Sequence, residues 1–313
     1  MLPRWLIHKM VDISVIIVNW NTRDLLAQCV DSILEHADGL SLEIIVVDNA
    51  STDDSVAMLR QNYPTVRVIA NSSNVGFARA NNQAMQVAQS DYFLLWNSDA
   101  FATPGALQAL LAVARQQPQA GIVGAQLRNA DGSFQASFTA FPGLWQEFLI
   151  LTGLGRVLYG NSYPSRGPAE DAGPQIVDYV EGACLLVSRA AFLQVGGLDE
   201  GYFMYAEEVD WCYAMQAAGW QVWYQPLARV VHLGGASSRG RRTGREADLY
   251  RSRVRFFRKH YGPGQAQLLK MLIYGLTAIK IGIHGLLRFV TGGRYGRPVV
   301  SLKHLAAELN KAQ

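Results

Sequence analysis

Apolar and polar positions alternate in blocks along the first 125 residues. Residues 13–18 are apolar apart from Ser14, the pattern of a strand covered on both faces. Leu25, Leu26, Cys29, Ile33 and Leu34 then recur at helical spacing. Residues 43–47 predict a second strand, and Ser51-Thr52-Asp53 after it reads as a helix cap. The pattern continues with a strand over 66–70, a helix over 77–89, a strand over 92–96, a helix over 104–117 and a strand over 121–125. Such alternation predicts an α/β fold with a mostly parallel sheet. From 127 to 174 the periodicity gives way to Gly, Pro, Ser and aromatic residues, so long loops around a short helix near 144–151 are expected. Order resumes with strands over 177–180 and 184–187, a helix near Ala190 and another over 207–218. The chain turns basic after Arg239 and apolar over 268–290.

The 313 residues suffice for about two domains, and with half of them apolar and 17 % charged a large core is expected. Cys29, Cys184 and Cys212 stand far apart. This excludes a disulfide scaffold or zinc ribbon, fits a reducing compartment, and leaves the thiols as small core residues. Residues 1–10 carry no apolar run of signal-peptide length, so a cytoplasmic protein is expected. The overall charge of +3 hides an asymmetry. Residues 1–228 hold 11 basic and 22 acidic side chains, whereas 229–313 hold 17 basic and 3 acidic. A basic tail on an acidic body is suited to a polyanion.

In an open parallel sheet, ligands bind beyond the carboxyl ends of the strands. Those ends read Asn19-Trp20-Asn21, Asp48-Asn49-Ala50-Ser51, Asn71 followed by Asn74-Val75-Gly76-Phe77, and Asn97-Ser98-Asp99. Any one of these has an ordinary explanation as a turn or cap. Four in succession gather amides and carboxylates on one edge. No G-x-G-x-x-G follows the first strand and no P-loop occurs, so a dinucleotide site and a P-loop NTPase are unsupported. Asp48 suits hydrogen bonding to a ribose or base, and Asp99 suits a hard divalent cation bridging phosphates.

The ordered runs VIIVNWN, VVDNASTDDS, NSSNVGFARANN and LLWNSDA resemble the family 2 glycosyltransferases of the GT-A fold. The subgroup they most resemble contains bacterial rhamnosyltransferases that build cell-surface polysaccharide. EGACLLVSRAAFLQVGGLDEGYFMYAEEVDWC and VVHLGGASS are similar to its acceptor-side and closing motifs, so the likeness covers about residues 12–238. It implies a GT-A catalytic domain over 1–238, with a nucleotide-sugar half over 12–125 and an acceptor half over 126–238. Residues 239–313 would be a helical appendage.

Carried over by position, the resemblance implies that Asp48 contacts the nucleoside, with Asn19, Asn21 and Asn49 beside it. Asn74, Gly76 and Asn81 would line the wall of the donor. Asn97-Ser98-Asp99 stands where the family carries Asp-x-Asp, so Asp99 would hold Mg²⁺ or Mn²⁺, with an amide replacing the first acid. His232 would reach the metal or the diphosphate. Glu207-Glu208 stands where the family has Glu-Asp or Asp-Asp, which makes Glu208 the general base. Glu207, Asp210 and Trp211 would lie on the acceptor side. Read on their own, Glu207, Glu208 and Asp210 are equally a solvated first helical turn, and Trp211 is as much a core aromatic as a platform for a sugar. Core positions are expected for Trp20, Trp96 and Trp223. The Gln-x-x-Arg-Trp run of processive synthases is absent, so single additions are expected, and in-line attack from the face opposite the leaving diphosphate would invert the anomeric configuration.

Residues 239–259 hold nine basic and two acidic side chains interleaved with aromatics, but no nucleic-acid recognition motif accompanies them. Lys280 and His284 near the middle of the apolar run make a bilayer span costly. An interfacial helix on an anionic membrane fits better, its ordinary rival being a helix packed on protein. The resulting expectation is a nucleoside-diphosphate sugar donor, dTDP-L-rhamnose by subgroup likeness, and a lipid-linked glycan acceptor. No nucleic-acid partner is expected, a homo-oligomer stays open, and the enzyme would sit on the cytoplasmic face of the inner membrane. The rivals are a catalytically weak glycan-binding scaffold and a sugar-nucleotide nucleotidyltransferase.

Overall fold

The computed structural model describes residues 11–165, 167, 173–235, 242–292 and 299–311. The end of the VVHLGGASS run and the start of the basic tail, residues 236–241, lie outside them, as do residues 1–10.

The first half follows the alternating pattern. β1 (Ile13–Asn19), α1 (Arg23–Glu35), β2 (Leu42–Asp48), α2 (Ser55–Asn62), β3 (Arg67–Ala70), α3 (Phe77–Val87), β4 (Tyr92–Asn97), β5 (Ala100–Ala102), α4 (Ala106–Gln116) and β6 (Ala120–Arg128) succeed one another. Then come β7 (Phe138–Thr139), α5 (Leu144–Thr152), α6 (Leu154–Tyr159), β8 (Gln175–Ile176), β9 (Tyr179–Val180), β10 (Cys184–Ser188), α7 (Arg189–Val195), α8 (Glu207–Ala217) and β11 (Gln221–His232). α9 (Arg242–Val290) and α10 (Leu302–Asn310) end the chain. Gly262, with φ at 88°, breaks α9 just before Pro263.

The main sheet runs β3-β2-β1-β4-β10-β6-β11-β5, with β8 added on β11. β3, β2, β1 and β4 are parallel, whereas β10 lies antiparallel between β4 and β6. The two-residue period of the strands divides the core. Ile13, Val15, Ile17, Val46, Leu94 and Trp96 face α1 and α4, while Ile16, Ile45, Val47, Phe93 and Leu95 face α3 and α8. Both layers are buried, as the unbroken apolar runs require.

Three readings change. The Ser51-Thr52-Asp53 cap is one residue early: α2 starts at Ser55 with Asp54 before it at φ 61°, and it is Asp53 Oδ1 that accepts the Ser55 N–H at 3.2 Å while the Asp54 side chain makes no cap bond. The strand expected over 177–180 shrinks to β9 at 179–180, which pairs with β7, while β8 at 175–176 just before it pairs with β11. β5 and β11 were not foreseen, since β5 has three residues and β11 contains Pro226, which argues against a central strand.

The chain divides into two compact units. One comprises Met1–Phe141, Ser165–Phe203 and Glu208–Ser237; the other comprises Pro142–Pro164, Met204–Glu207 and Ser238–Gln313. Within the second, Arg253 on α9 donates to the buried Glu147 of α5 at 2.6 Å, and Arg251 bonds Glu308 of α10 at 2.7 Å. Those ion pairs tie α5 and α10 to the tail helix.

Candidate functional site

Parallel register sets Asn19 directly beside Asp48 at the carboxyl ends of β1 and β2. The Asn19 amide donates to Asp48 Oδ2 at 2.7 Å and to Ser51 Oγ at 3.1 Å, while the Ser51 backbone N–H donates to Asp48 Oδ1 at 2.9 Å. Asn19 Oδ1 accepts from the Thr22 hydroxyl at 2.6 Å. With that proton committed, Ser98 donates to Thr22 at 2.8 Å and joins the end of β4 to the same network. Asp48 is only 1 % exposed, a buried hub that shapes the edge where the nucleoside contact is expected.

Asn21 takes a left-handed conformation at φ 53° and accepts from the Thr52 N–H at 2.7 Å, which fixes the outer loop. Burial pushes the neighbouring Asp53 carboxyl up, but hydrogen bonds from Ser55 and the Arg23 N–H outweigh it and hold the group below the usual range.

Asn49 donates to the Gly76 carbonyl at 3.2 Å, and Asn71 donates to Asn49 Oδ1 at 3.0 Å. Asn74 Oδ1 accepts from the Gly76 N–H at 3.0 Å, forming an Asx turn ahead of α3. Gly76 has φ 88°, and a Cβ there would stand 2.8 Å from the Phe203 carbonyl oxygen. Only glycine meets both demands. Asn81 is buried and donates to Phe77 O within its own helix at 2.9 Å. These three residues build the turn and helix behind the edge expected to wall the donor.

β11 brings His232 to the other end of the edge, opposite Ala100 of β5. His232 Nε2 lies 3.3 Å from Asp99 Oδ1 and 3.3 Å from the Asn97 amide nitrogen. Gln135, not anticipated from the sequence, sets the imidazole. Its amide nitrogen donates to Asn129 Oδ1 at 2.9 Å and to the His232 carbonyl at 3.1 Å. Gln135 Oε1 is thereby turned to His232 Nδ1 at 2.7 Å. An amide oxygen only accepts, so Nδ1 carries the proton, and in the neutral ring Nε2 presents its lone pair beside Asp99.

Two acceptors so close suit a divalent cation. Ligands at about 2.1 Å in adjacent octahedral positions stand about 3 Å apart. Metal-bound histidines commonly donate their other ring N–H to a fixed acceptor, as His232 Nδ1 does to Gln135 Oε1. Among the described residues no group of three or more His, Cys, Asp or Glu could hold a metal. Asp99 and His232 are two residues that could hold an ion.

Glu208 stands at the start of α8, half-buried, with its side chain across Gly182: a Cβ on Gly182 would meet it at 3.5 Å. The next residue, Ala183, accepts the Asn97 N–H at 3.0 Å, so Glu208 packs on the segment adjoining the Asn97 end of β4. Burial first, and then the Glu208 and Glu181 charges, push the Cys212 thiol up to about 12. Glu207 and Asp210 are buried, and Asp210 accepts from the Tyr202 hydroxyl at 3.2 Å. Trp211 is corrected: it lies inside the core layer against α3, and its indole N–H donates to Gly196 O at 2.9 Å. No ring face is left there for a sugar. Trp96 is buried as expected, whereas Trp20 and Trp223 are half-buried.

Residues 14–192 match the family model described as Glycosyl transferase family 2. An N-acetylglucosaminyl-diphospho-decaprenol L-rhamnosyltransferase of Mycobacterium tuberculosis is 36 % identical over 210 residues, 61 % of this chain and 66 % of that protein. The chain thus spans just under two thirds of that relative's length. The Escherichia coli rhamnosyltransferase WbbL is 27 % identical over 237 residues, 72 % of this chain and 85 % of that one. Among solved structures, the mannosyltransferase PcManGT from Pyrobaculum calidifontis, in complex with GDP-Man and Mn²⁺, superposes with a TM-score of 0.58 at 17 % identity. That superposition covers 96 % of this chain and 85 % of the other. The fold is GT-A, with its parallel β3-β2-β1-β4 half carrying the Asn19–Asp48 edge.

Proposed function

The chain belongs to glycosyl transferase family 2 and is a glycosyltransferase, and from that premise we propose that it adds a single L-rhamnose from dTDP-L-rhamnose, with inversion, to a hydroxyl of a lipid-linked glycan. The observation that carries the reading is the approach of Asp99 and His232 to 3.3 Å at the strand edge that begins with the Asn19–Asp48 hub. The donor sugar and lipid carrier draw support from the names of the relatives, two of which are rhamnosyltransferases and one of which acts on a diphospho-decaprenol.

Each residue then has a separate task. Asp48, Asn19, Asn21 and Asn49 form the edge that receives the nucleoside, while Asn74, Gly76 and Asn81 support the wall beside it. Asp99 and His232 would hold Mg²⁺ or Mn²⁺, with Asn97 supplying an amide where a second acid would add charge. When bound, the cation would offset the negative charge that grows on the departing diphosphate. Gln135 keeps the His232 lone pair aimed at that place. Glu208 takes the proton of the acceptor hydroxyl as its oxygen attacks the anomeric carbon from the face opposite the diphosphate. Glu207 and Asp210 frame the acceptor side of the same turn.

Over Gly244–Val290 the tail is long and apolar enough to cross a membrane by length and composition alone. Lys270, Lys280, His284 and Arg288 punctuate it, and from Leu249 to Ala307 the sequence contains no acid. We assign it to the anionic cytoplasmic surface of the inner membrane, where the lipid-linked acceptor is presented.

Nucleotide release from UDP-, dTDP- and GDP-sugars, with Mg²⁺, Mn²⁺ or chelator, tests the assignment. Metal-dependent release from dTDP-L-rhamnose alone, lost in Glu208→Gln, is the expected result. Metal-independent release, or release from a different donor, would replace the respective part of the reading. Absence of any nucleotide binding by calorimetry would sink the donor site.

A further inference from the structure

A second region of the tail-bearing unit is apolar in a way no folding argument explains. α5 and α6 are consecutive helices over 144–159 that share Gly153, at φ 76°, as their junction. α5 turns Leu149 and Leu151 inward, and its buried Glu147 is bonded to Arg253. α6 has a different arrangement. Its Gly155 presses on the Tyr163 ring, where a Cβ would stand 2.3 Å from the nearest ring carbon. Seated by its glycine, α6 directs Val157, Leu158 and Tyr159 outward, at 80 %, 62 % and 64 % exposure. Trp145 on α5 is 67 % exposed and stacked on Phe148 at 5.3 Å between centroids.

We propose that the α5–α6 segment is a second membrane-docking element, a wedge whose Trp145, Val157, Leu158 and Tyr159 enter the headgroup–acyl boundary of an anionic bilayer. Scattered exposed apolar residues are ordinary on a soluble protein, but Leu154, Val157 and Leu158, at i, i+3 and i+4, share one exposed face of α6, with Tyr159 stacked on Tyr163 beside it. Trp and Tyr flanking aliphatic side chains match the chemistry of the bilayer interface, with one end of each ring apolar and the other wet. Charge argues for a lipid surface of negative sign. The segment has two charged residues, Glu147 and Arg156, and the Glu147 carboxylate is matched by Arg253. Arg156, exposed beside Val157, sets the sign of the outer face. The inference rests on the proposal that the enzyme works at an anionic membrane, not on the α9 contact itself, so the two elements can fail separately.

The test is sedimentation of the full chain with vesicles of phosphatidylcholine, with or without phosphatidylglycerol. Three proteins are compared: wild type, Val157→Ser/Leu158→Ser and, on α9, Ile283→Ser/Leu286→Ser. Every substituted side chain is exposed, and the replacements leave charge unchanged. The α6 variant should bind phosphatidylglycerol vesicles about tenfold or more weakly, with donor hydrolysis in solution unchanged. Brominated lipid should quench wild-type tryptophan emission, and Trp145→Phe should remove part of that quenching. Weak binding by the α6 variant alone would support the wedge and discard the α9 contact. Wild-type binding by the α6 variant with loss in the α9 variant would overturn the wedge and leave α9 standing. Wild type that ignores both vesicle types would overturn both. An α6 variant that turns a dimer into a monomer, with vesicle binding unchanged, would overturn the wedge in favour of a second copy of the chain.

Discussion

The two units differ in how they dispose of their apolar residues, although the first leaves single ones such as Leu193 and Leu227 exposed and the second buries Phe256, Phe257 and Leu305. In the GT-A unit, Trp96, Trp211, Phe93 and the alternating side chains of β1, β2 and β4 are buried, and the polar groups at the strand ends are hydrogen-bonded to one another. In the tail-bearing unit, Val157, Leu158, Leu286 and Phe289 stand in the open, while two carboxylates are drawn inward to meet arginines. In the proposed reading, the first unit holds a ligand at fixed polar points, and the apolar side chains exposed on α6 and α9 of the second meet a membrane surface.

That contrast can be broken at its sharpest points. Glu208→Gln should lower kcat about 10³-fold while donor affinity in calorimetry stays near wild type, because the amide keeps the shape and loses the base. Equal losses in binding and turnover would instead make Glu208 part of the donor site. Arg253→Met should destabilise the tail-bearing unit by about 3 kcal/mol, since it leaves Glu147 as an unmatched buried carboxylate. Burial already pushes the Glu147 carboxyl up, and Arg253 pulls it back. In Arg253→Met the carboxyl rises further. Stability is therefore retained below the ordinary carboxylate pKa of about 4.3 and lost as pH rises through the raised value. Thermal melts at pH 4 and pH 8 should show the larger deficit at pH 8.

Two smaller effects sharpen the polar edge. Asp48→Ala strands the Asn19 amide and the Ser51 N–H, and should cost about 2 kcal/mol in denaturant unfolding together with a raised KM for the donor. Gln135→Ala releases His232 Nδ1 and should weaken metal activation about tenfold, read from activity against Mg²⁺ or Mn²⁺ concentration, with the fold intact. An unchanged metal dependence would remove Gln135 from the site.

The sequence was most informative where strands are covered on both faces. The runs ending at Asn19, Asp48 and Asn97 are apolar over the four positions before those residues, 15–18, 44–47 and 93–96, so both the strands and the residues just beyond them could be read. β11 escaped because Pro226 and Gln225 interrupt its run, although it delivers His232. Gln135 escaped for a different reason: it lies in an irregular stretch and meets His232 across 97 positions, a pairing no local pattern encodes. Trp211 shows the converse limit. An aromatic next to acids is compatible with a sugar platform or a core position, and only the bond from its indole to Gly196 separates them.

β11 also carries a length constraint. Its pairing with β6 passes from Gln225 opposite Ala125 to Arg229 opposite Gln126, so three residues bulge where the partner advances by one step. Successive side chains of a strand alternate between faces, and the number of residues in that bulge decides which face His232 presents. Substitution of the exposed Leu227 within the bulge should be tolerated, yet deletion of a single residue there would turn the imidazole to the opposite side of the sheet. Among related chains, this strand should therefore vary in composition while keeping its length, and the count of residues between Gln225 and Arg229 is as much part of the site as the histidine itself.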